Sequence, residues 1–176
     1  MICCKQGNKP KTIDVTLTFK MEQLLYDAKL YCHIEGSVLM PDTPDHNRHM
    51  VQDIGEEGYV DRALRVLNLC HAGAVELLLP YTKKDVSEAM LDDELREPDE
   101  YRIEMSVPEG FSQTTLNLLE GLIHDWLVCK VVYDWLTITD TEKATVWAVK
   151  VDELETEIRR SIMTRRDRSR IKLHPF

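Results

Sequence analysis

Hydrophobic positions along this chain follow two periods. Four segments step by three and four, the helical spacing, and two short ones alternate, the strand spacing. The longest helical segment is FSQTTLNLLEGLIHDWLVCKVVYDWLTI, from Phe111 to Ile138. Pro108 and Gly110 break the chain before it, and Ser112 is placed to cap its first turn. Leu116, Leu119, Ile123, Trp126 and Leu127 form one stripe. From Leu122 to Leu136 only His124, Asp125, Lys130 and Asp134 interrupt an otherwise apolar run. A helix apolar on most sides is buried on most sides. The charges recur too often for a membrane span, which needs ~20 apolar residues in a row. The pattern therefore predicts a central helix over 112–137 of a soluble domain.

The other helices follow from the same spacing. Met21 to Ile34 turns Leu24, Leu25, Ala28 and Tyr31 inward, with Gly36 as a stop. Gly58 to Leu79 carries Val60, Leu64, Leu67, His71, Ala74 and Leu78 as a packing seam, ended by Pro80. Thr139 and Glu142 make a capping box for a last helix. Its stripe is Ala144, Trp147, Val151, Leu154, Ile158 and Ile162, with Glu155 and Arg159 as an i,i+4 pair. The two alternating segments are Ile13 to Phe19 and Tyr101 to Val107, which suit an antiparallel ribbon. The order strand, helix, helix thus occurs twice, as a repeat of pattern only. Residues 36–58 and 83–100 read as long loops, the second with a net charge of −5 from eight acidic and three basic residues. Val86, Met90 and Leu95 would give that second loop a short amphipathic helix if it folds.

The expected organisation is a disordered start at 1–12, one helical domain at 13–164 and a basic tail at 165–176. The fold class is mainly α: three to four helices bundled around the central one, with a small two-stranded β element. A chain of 176 residues is long enough for one cored domain. The five cysteines are odd in number, and Cys32, Cys70 and Cys129 fall inside predicted helices, the pattern of reduced thiols in an intracellular compartment. The first residues lack the apolar run of a signal peptide.

Charge changes the picture more than composition does. The net charge is −9, but residues 159–176 hold seven basic residues against Asp167 alone. That end is therefore +6, and residues 1–158 carry −15. So acidic a body repels phosphates and is a poor general nucleic-acid binder. The tail, with Arg165, Arg166, Arg168, Arg170 and Lys172 and a terminal Phe176, is the candidate partner-binding element. It has no helical period and reads as extended.

Candidate chemistry is sparse. His124-Asp125 is an adjacent pair of the kind that holds a divalent ion in the all-helical HD phosphohydrolases, and His71 with Asp134 or Asp152 would complete such a set. Here a bulky Trp126-Leu127-Val128 follows the pair, unlike that family. Cys32-His33, Cys70-His71 and Cys129 suggest zinc only superficially. Adjacent helical residues point ~100° apart and do not converge on one ion. His46 and His49, with Asp42, Asp45 and Asp53, lack any ligand spacing. No Gly-rich phosphate loop, Gly-x-Ser-x-Gly or Cys-x-x-Cys occurs. Trp126, Trp135 and Trp147 sit on helix stripes, so core packing outweighs ligand stacking. These readings predict no catalytic residues, no metal and no cofactor.

The central helix, the capped helix TDTEKATVWAVKVDELETEIRRSI and the basic end RRDRSRIKLHPF together resemble tailed-phage head-to-tail connector (adaptor) proteins. The likeness covers roughly Gly58 to Phe176. It implies a small, mainly helical virion protein, made in the bacterial cytoplasm. It also implies a homo-oligomeric ring, commonly twelve-fold, at the neck beneath the portal. Such a ring touches portal and tail proteins and lets DNA pass without reading its sequence. An acidic wall suits a channel that must not grip phosphate. Two other classes stay open. One is a host helical adaptor or regulatory domain whose basic tail binds an acidic partner. The other is an HD-like metal-dependent phosphohydrolase.

Overall fold

The computed structural model describes residues 11–38, 45–79, 81–84 and 94–163. Among them are strand β1 (Thr12–Lys20), helix α1 (Met21–Ser37), helix α2 (Asp45–Gln52) and a 3-10 turn (Asp53–Gly55). Helix α3 (Glu57–Leu77), strand β2 (Glu100–Pro108), helix α4 (Gln113–Thr139) and helix α5 (Thr141–Met163) follow. The protein is mainly helical, with one two-stranded antiparallel sheet. None of these helices is long and apolar enough to cross a membrane.

The central helix is α4. Its predicted stripe is buried, and so are Val128, Cys129, Val131, Val132, Trp135 and Leu136 further along. Helices α1, α3 and α5 each pack against it. Ser112 takes the N-cap position with extended dihedrals, but its side chain makes no capping bond. Its carbonyl accepts the Thr115 and Leu116 amides instead. At α5 the cap shifts by one residue from the expected Thr139. The Asp140 carboxylate accepts the Lys143 amide at 3.2 Å, while the Thr139 hydroxyl donates back to the Trp135 carbonyl. Both side chains can cap, but the Thr139 hydroxyl is held by α4, whereas Asp140 joins α4 only through its amide and keeps its carboxylate for α5.

The ribbon pairs Ile13 with Val107, Val15 with Met105, Leu17 with Ile103 and Phe19 with Tyr101. One face is thus apolar, and Leu17, Phe19, Tyr101, Ile103, Met105 and Val107 are buried under the helices.

The segment 36–58, expected as a loop, is largely helical. Helix α1 runs on to Ser37, and α2 with the 3-10 turn occupies Asp45–Gly55. Gly36 is not the stop: it is buried inside α1, where an added Cβ would come within 2.6 Å of the Gln52 side chain. Its role is close approach rather than a turn. Val51 and Ile54 are buried, and Trp135 Nε1 donates to the Val51 carbonyl at 2.9 Å. Two core residues between Asp45 and Gly55 are too few to register as a period.

In 83–100, residues 94–98 have no regular structure, and Asn68 Nδ2 donates to the Arg96 carbonyl. Val86 and Met90 of the suggested short helix lie outside the described residues, as does most of the start at 1–12 and all of the tail at 165–176.

Candidate assembly surfaces

Two places, on either side of α5, carry exposed large apolar side chains, while Ile13, Tyr59, Leu79, Leu118 and Ile138 are also exposed. The first is where α1 meets α5. On α1, Tyr26, Leu30 and Ile34, with Val38 just past the helix end, recur every four residues and are exposed, Val38 by 71%. A four-residue step drifts by only ~40° around a helix, so they form one ridge. Beside this ridge, Lys143 Nζ pairs with Glu35 Oε2 at 2.8 Å, and the Trp147 indole donates to Glu35 Oε1 at 3.2 Å. Tyr31 and Trp147 meet edge to face at 5.3 Å. Lys150 Nζ stands 4.9 Å from the Tyr31 ring and 4.7 Å from the Trp147 ring. Val146, 69% exposed, lies on α5 between Lys143 and Lys150 at a spacing of three and four. It therefore shares their side of the helix.

The second is a groove of about 630 Å³ between α3, α4 and α5. Val66, Leu69 and Leu77 of α3 form one wall, and Trp126 and Tyr133 of α4 form the floor. Glu155 and Arg159 of α5 close the far side, ion-paired at 2.9 Å. Leu69 is 75% exposed. Lys130 covers the Trp126 ring at 5.3 Å, and Asp134 is held by Arg62 at 2.9 Å. Val146 and Glu155 are nine positions apart, ~900° of helix rotation. That is a half turn beyond two full ones, so the two surfaces lie on opposite flanks of α5.

Among the described residues, the suggested ligand sets do not come together. His124 Nε2 is bonded to Asp27 Oδ2 at 2.8 Å, while Asp125 points into solvent. His71 Nε2 donates to the Arg102 carbonyl at 3.1 Å, Asp134 faces Arg62, and Asp152 is exposed. Cys32 and Cys70 are buried, whereas His33 is exposed. His49 is exposed on α2, and the side chains of Asp42, Asp45 and His46 lie outside the described residues. Among the described residues, no three His, Cys, Asp or Glu side chains converge.

Burial pushes the Cys32 thiol up to about 12, with Glu35 adding to the shift. It pushes Cys70 to about 11. Both thiols stay protonated at neutral pH and behave as small core side chains.

The partner-binding residues expected from the sequence, Arg165, Arg166, Arg168, Arg170, Lys172 and Phe176, all lie outside the described residues. What precedes them is placed. Ile158 and Ile162 are buried, so α5 stays docked almost to Met163. The two apolar surfaces were missed because each helix was assigned a single inward stripe. A second stripe was visible on α1 at Tyr26, Leu30, Ile34 and Val38, and on α3 at Val66, Leu69, Gly73 and Leu77. Comparison of the chain with protein-family models, with curated proteins and with solved structures finds no match.

Proposed function

We propose that this chain is a structural subunit, a helical bundle around α4 that assembles head to tail into a closed ring. The single observation that carries the reading is the pair of unlike apolar surfaces on opposite flanks of α5. A contact between unlike surfaces repeats in one rotational sense and closes into a ring when the rotation permits. Two like surfaces would instead stop at a dimer. Isolated exposed apolar residues are ordinary, but clustered ridges and grooves mark association sites.

The resemblance to phage head-to-tail connectors gives this ring a place: the neck of a tailed phage virion, against the portal, around passing DNA. The net charge of −15 on residues 1–158 favours a wall that does not hold phosphate. The chain acts as no enzyme in this reading. The tail, through Arg165, Arg166, Arg168, Arg170, Lys172 and Phe176, binds an adjacent acidic body or a portal-like partner. Exposed charges are screened beyond roughly 10 Å at 0.1 M salt, so that contact weakens as salt rises.

The host-adaptor reading shares the basic tail but needs only one surface. The two readings separate on size in solution and by electron microscopy. A ring that is lost or weakened on deletion of residues 165–176, or on changing the five basic residues to Gln, supports the connector. A monomer at every salt concentration rejects it.

A further inference from the structure

The ribbon has one covered edge and one open one. At one end the Glu109 amide donates to the Lys11 carbonyl, and at the other the Met21 amide donates to the Asp99 carbonyl, both at 3.0 Å. These bonds extend the register of the sheet, so the bonded pairs on β1 are the odd-numbered residues. The N–H and C=O groups of Thr12, Asp14, Thr16, Thr18 and Lys20 therefore point away from β2. On the opposite edge, β2 is partly occupied. The Ser106 amide donates to the Tyr81 carbonyl at 2.8 Å, His71 reaches the Arg102 carbonyl, and Pro108 has no N–H to leave over. Among the described residues, no backbone group pairs with the outer edge of β1. The edge is nine residues long, unbroken in register and free of proline. Edges left open in this way invite another strand.

We propose that the outer edge of β1 receives the C-terminal segment of a neighbouring copy as a third strand. The proposal rests on the ring reading and names the acceptor for the tail. Three observations favour this occupant. The first is position. Helices α4 and α5 are long, mutually packed and joined through Asp140 alone, so α5 returns to the level where α4 begins. Helix α4 begins shortly after Pro108, whose partner in the ribbon is Thr12. Helix α5 thus ends, at Met163, at the end of the molecule where β1 starts, with residues 164–176 following it in sequence. Extended, they reach ~43–47 Å at ~3.3–3.6 Å per residue, enough to span to a neighbour.

The second is pattern. Arg168, Arg170 and Lys172 alternate with Ser169, Ile171 and Leu173. On an added strand that period sorts basic from apolar side chains onto opposite faces. The third is complementarity. The core-facing side of β1 leaves Ile13 48% exposed and Val15 half-buried, which Ile171 and Leu173 would cover. The outer side carries Asp14, which accepts from the Ser106 hydroxyl at 2.6 Å and keeps its charge for a basic residue, and Glu104 opposite Thr16, which Lys84 already pairs at 2.6 Å. A chain's own tail, starting at the same end as β1, would add in parallel. A neighbour's tail is free to add antiparallel, the slightly more stable pairing per residue.

The test is cross-linking of the full chain with Cys3 and Cys4 changed to Ser. One partner carries Thr16→Cys, and the other carries Arg168→Cys, Arg170→Cys or Lys172→Cys. Mild oxidation of each one-to-one mixture is read by peptide mass. The expected result is a disulfide between the two different chains for at least one tail position. It is lost when Thr16→Pro is placed on a copy of the β1 partner that carries its cysteine at Asp14 instead. Proline there removes only an outward N–H, which an edge strand tolerates. A disulfide only between two copies that both carry Thr16→Cys, or none at any tail position, overturns the proposal. Rings without the cross-link leave the ring reading standing and sink the strand addition. A cross-link between chains that never close into rings does the reverse.

Discussion

The Trp135 indole N–H donates to the main-chain carbonyl of Val51 across 2.9 Å, inside the core. This bond ties the short α2 and its 3-10 turn to the central helix, and Tyr59 stacks edge-on against the same indole at 5.1 Å. A buried carbonyl deprived of its donor loses far more than a solvated one does. Trp135→Phe removes the donor together with part of the buried ring volume. Its expected cost is about 1–3 kcal/mol, read by chemical denaturation. An unchanged midpoint would show that water replaces the indole, and that the segment 45–55 is not held through this bond.

Trp126 and Trp147 are both core residues, 4% and 7% exposed. Replacing either with Ala should cost about 3–5 kcal/mol, the range for large aromatics in cores. Trp147 also orders the α1–α5 junction through Glu35, Tyr31 and Lys150. Trp147→Ala is therefore expected to weaken assembly as well as the fold, whereas Trp126→Ala acts on assembly only through the groove floor. Full stability in Trp147→Ala would show that its stripe is not part of the subunit core.

Burial pushes the His71 imidazole below its ordinary 6.5, with the hydrogen bond to the Arg102 carbonyl pulling the other way. The unfolded chain thus binds the proton at a higher pH than the folded one. The stability that depends on neutral His71 is complete above about 6.5 and is lost as pH falls through the lowered folded value. His71→Gln should flatten stability between pH 7 and that value relative to the parent. A parent and variant with the same pH dependence would contradict this.

Thiol chemistry gives a separate check on the core. Cys32 and Cys70, pushed to about 12 and about 11, hold little thiolate at pH 8. Their alkylation, followed by peptide mass, should proceed only as fast as the protein opens and should accelerate with urea. Rapid labelling of Cys32 in the native protein would mean that α1 is not docked as described.

The helices and the ribbon were legible because their core stripes are long. Five apolar residues at helical spacing between Leu116 and Leu127, and four alternating ones between Ile13 and Phe19, outweigh local ambiguity. Helix α2 and its 3-10 turn were not legible, since their main apolar anchors, Val51 and Ile54, mean little without Trp135, 84 residues away from Val51. Gly36 misled for a related reason: glycine at a close helix approach looks in sequence like glycine at a stop. The His124-Asp125 pair looked like a ligand set only until Asp27 was seen to hold His124. The two exposed apolar surfaces were hidden because an exposed apolar stripe and a buried one have the same period. Only the fold tells which of the two stripes on α1 or α3 already has a partner.

The most direct measurement of the central claim uses two variants, each spoiling one surface. Leu69→Glu puts a charge on the groove, and Val146→Glu puts one on the α1–α5 surface. Both side chains are exposed, so neither variant should lose more than about 0.5 kcal/mol of stability. Each alone retains one good surface but no mate for it, and native mass should report monomers of 20.5 kDa. Mixed one to one, the intact groove of one variant meets the intact α1–α5 surface of the other. The prediction is a dimer of one chain of each kind that grows no further. Rings persisting in either variant alone, or a mixture that remains monomeric while the parent forms rings, would contradict head-to-tail assembly through these two surfaces.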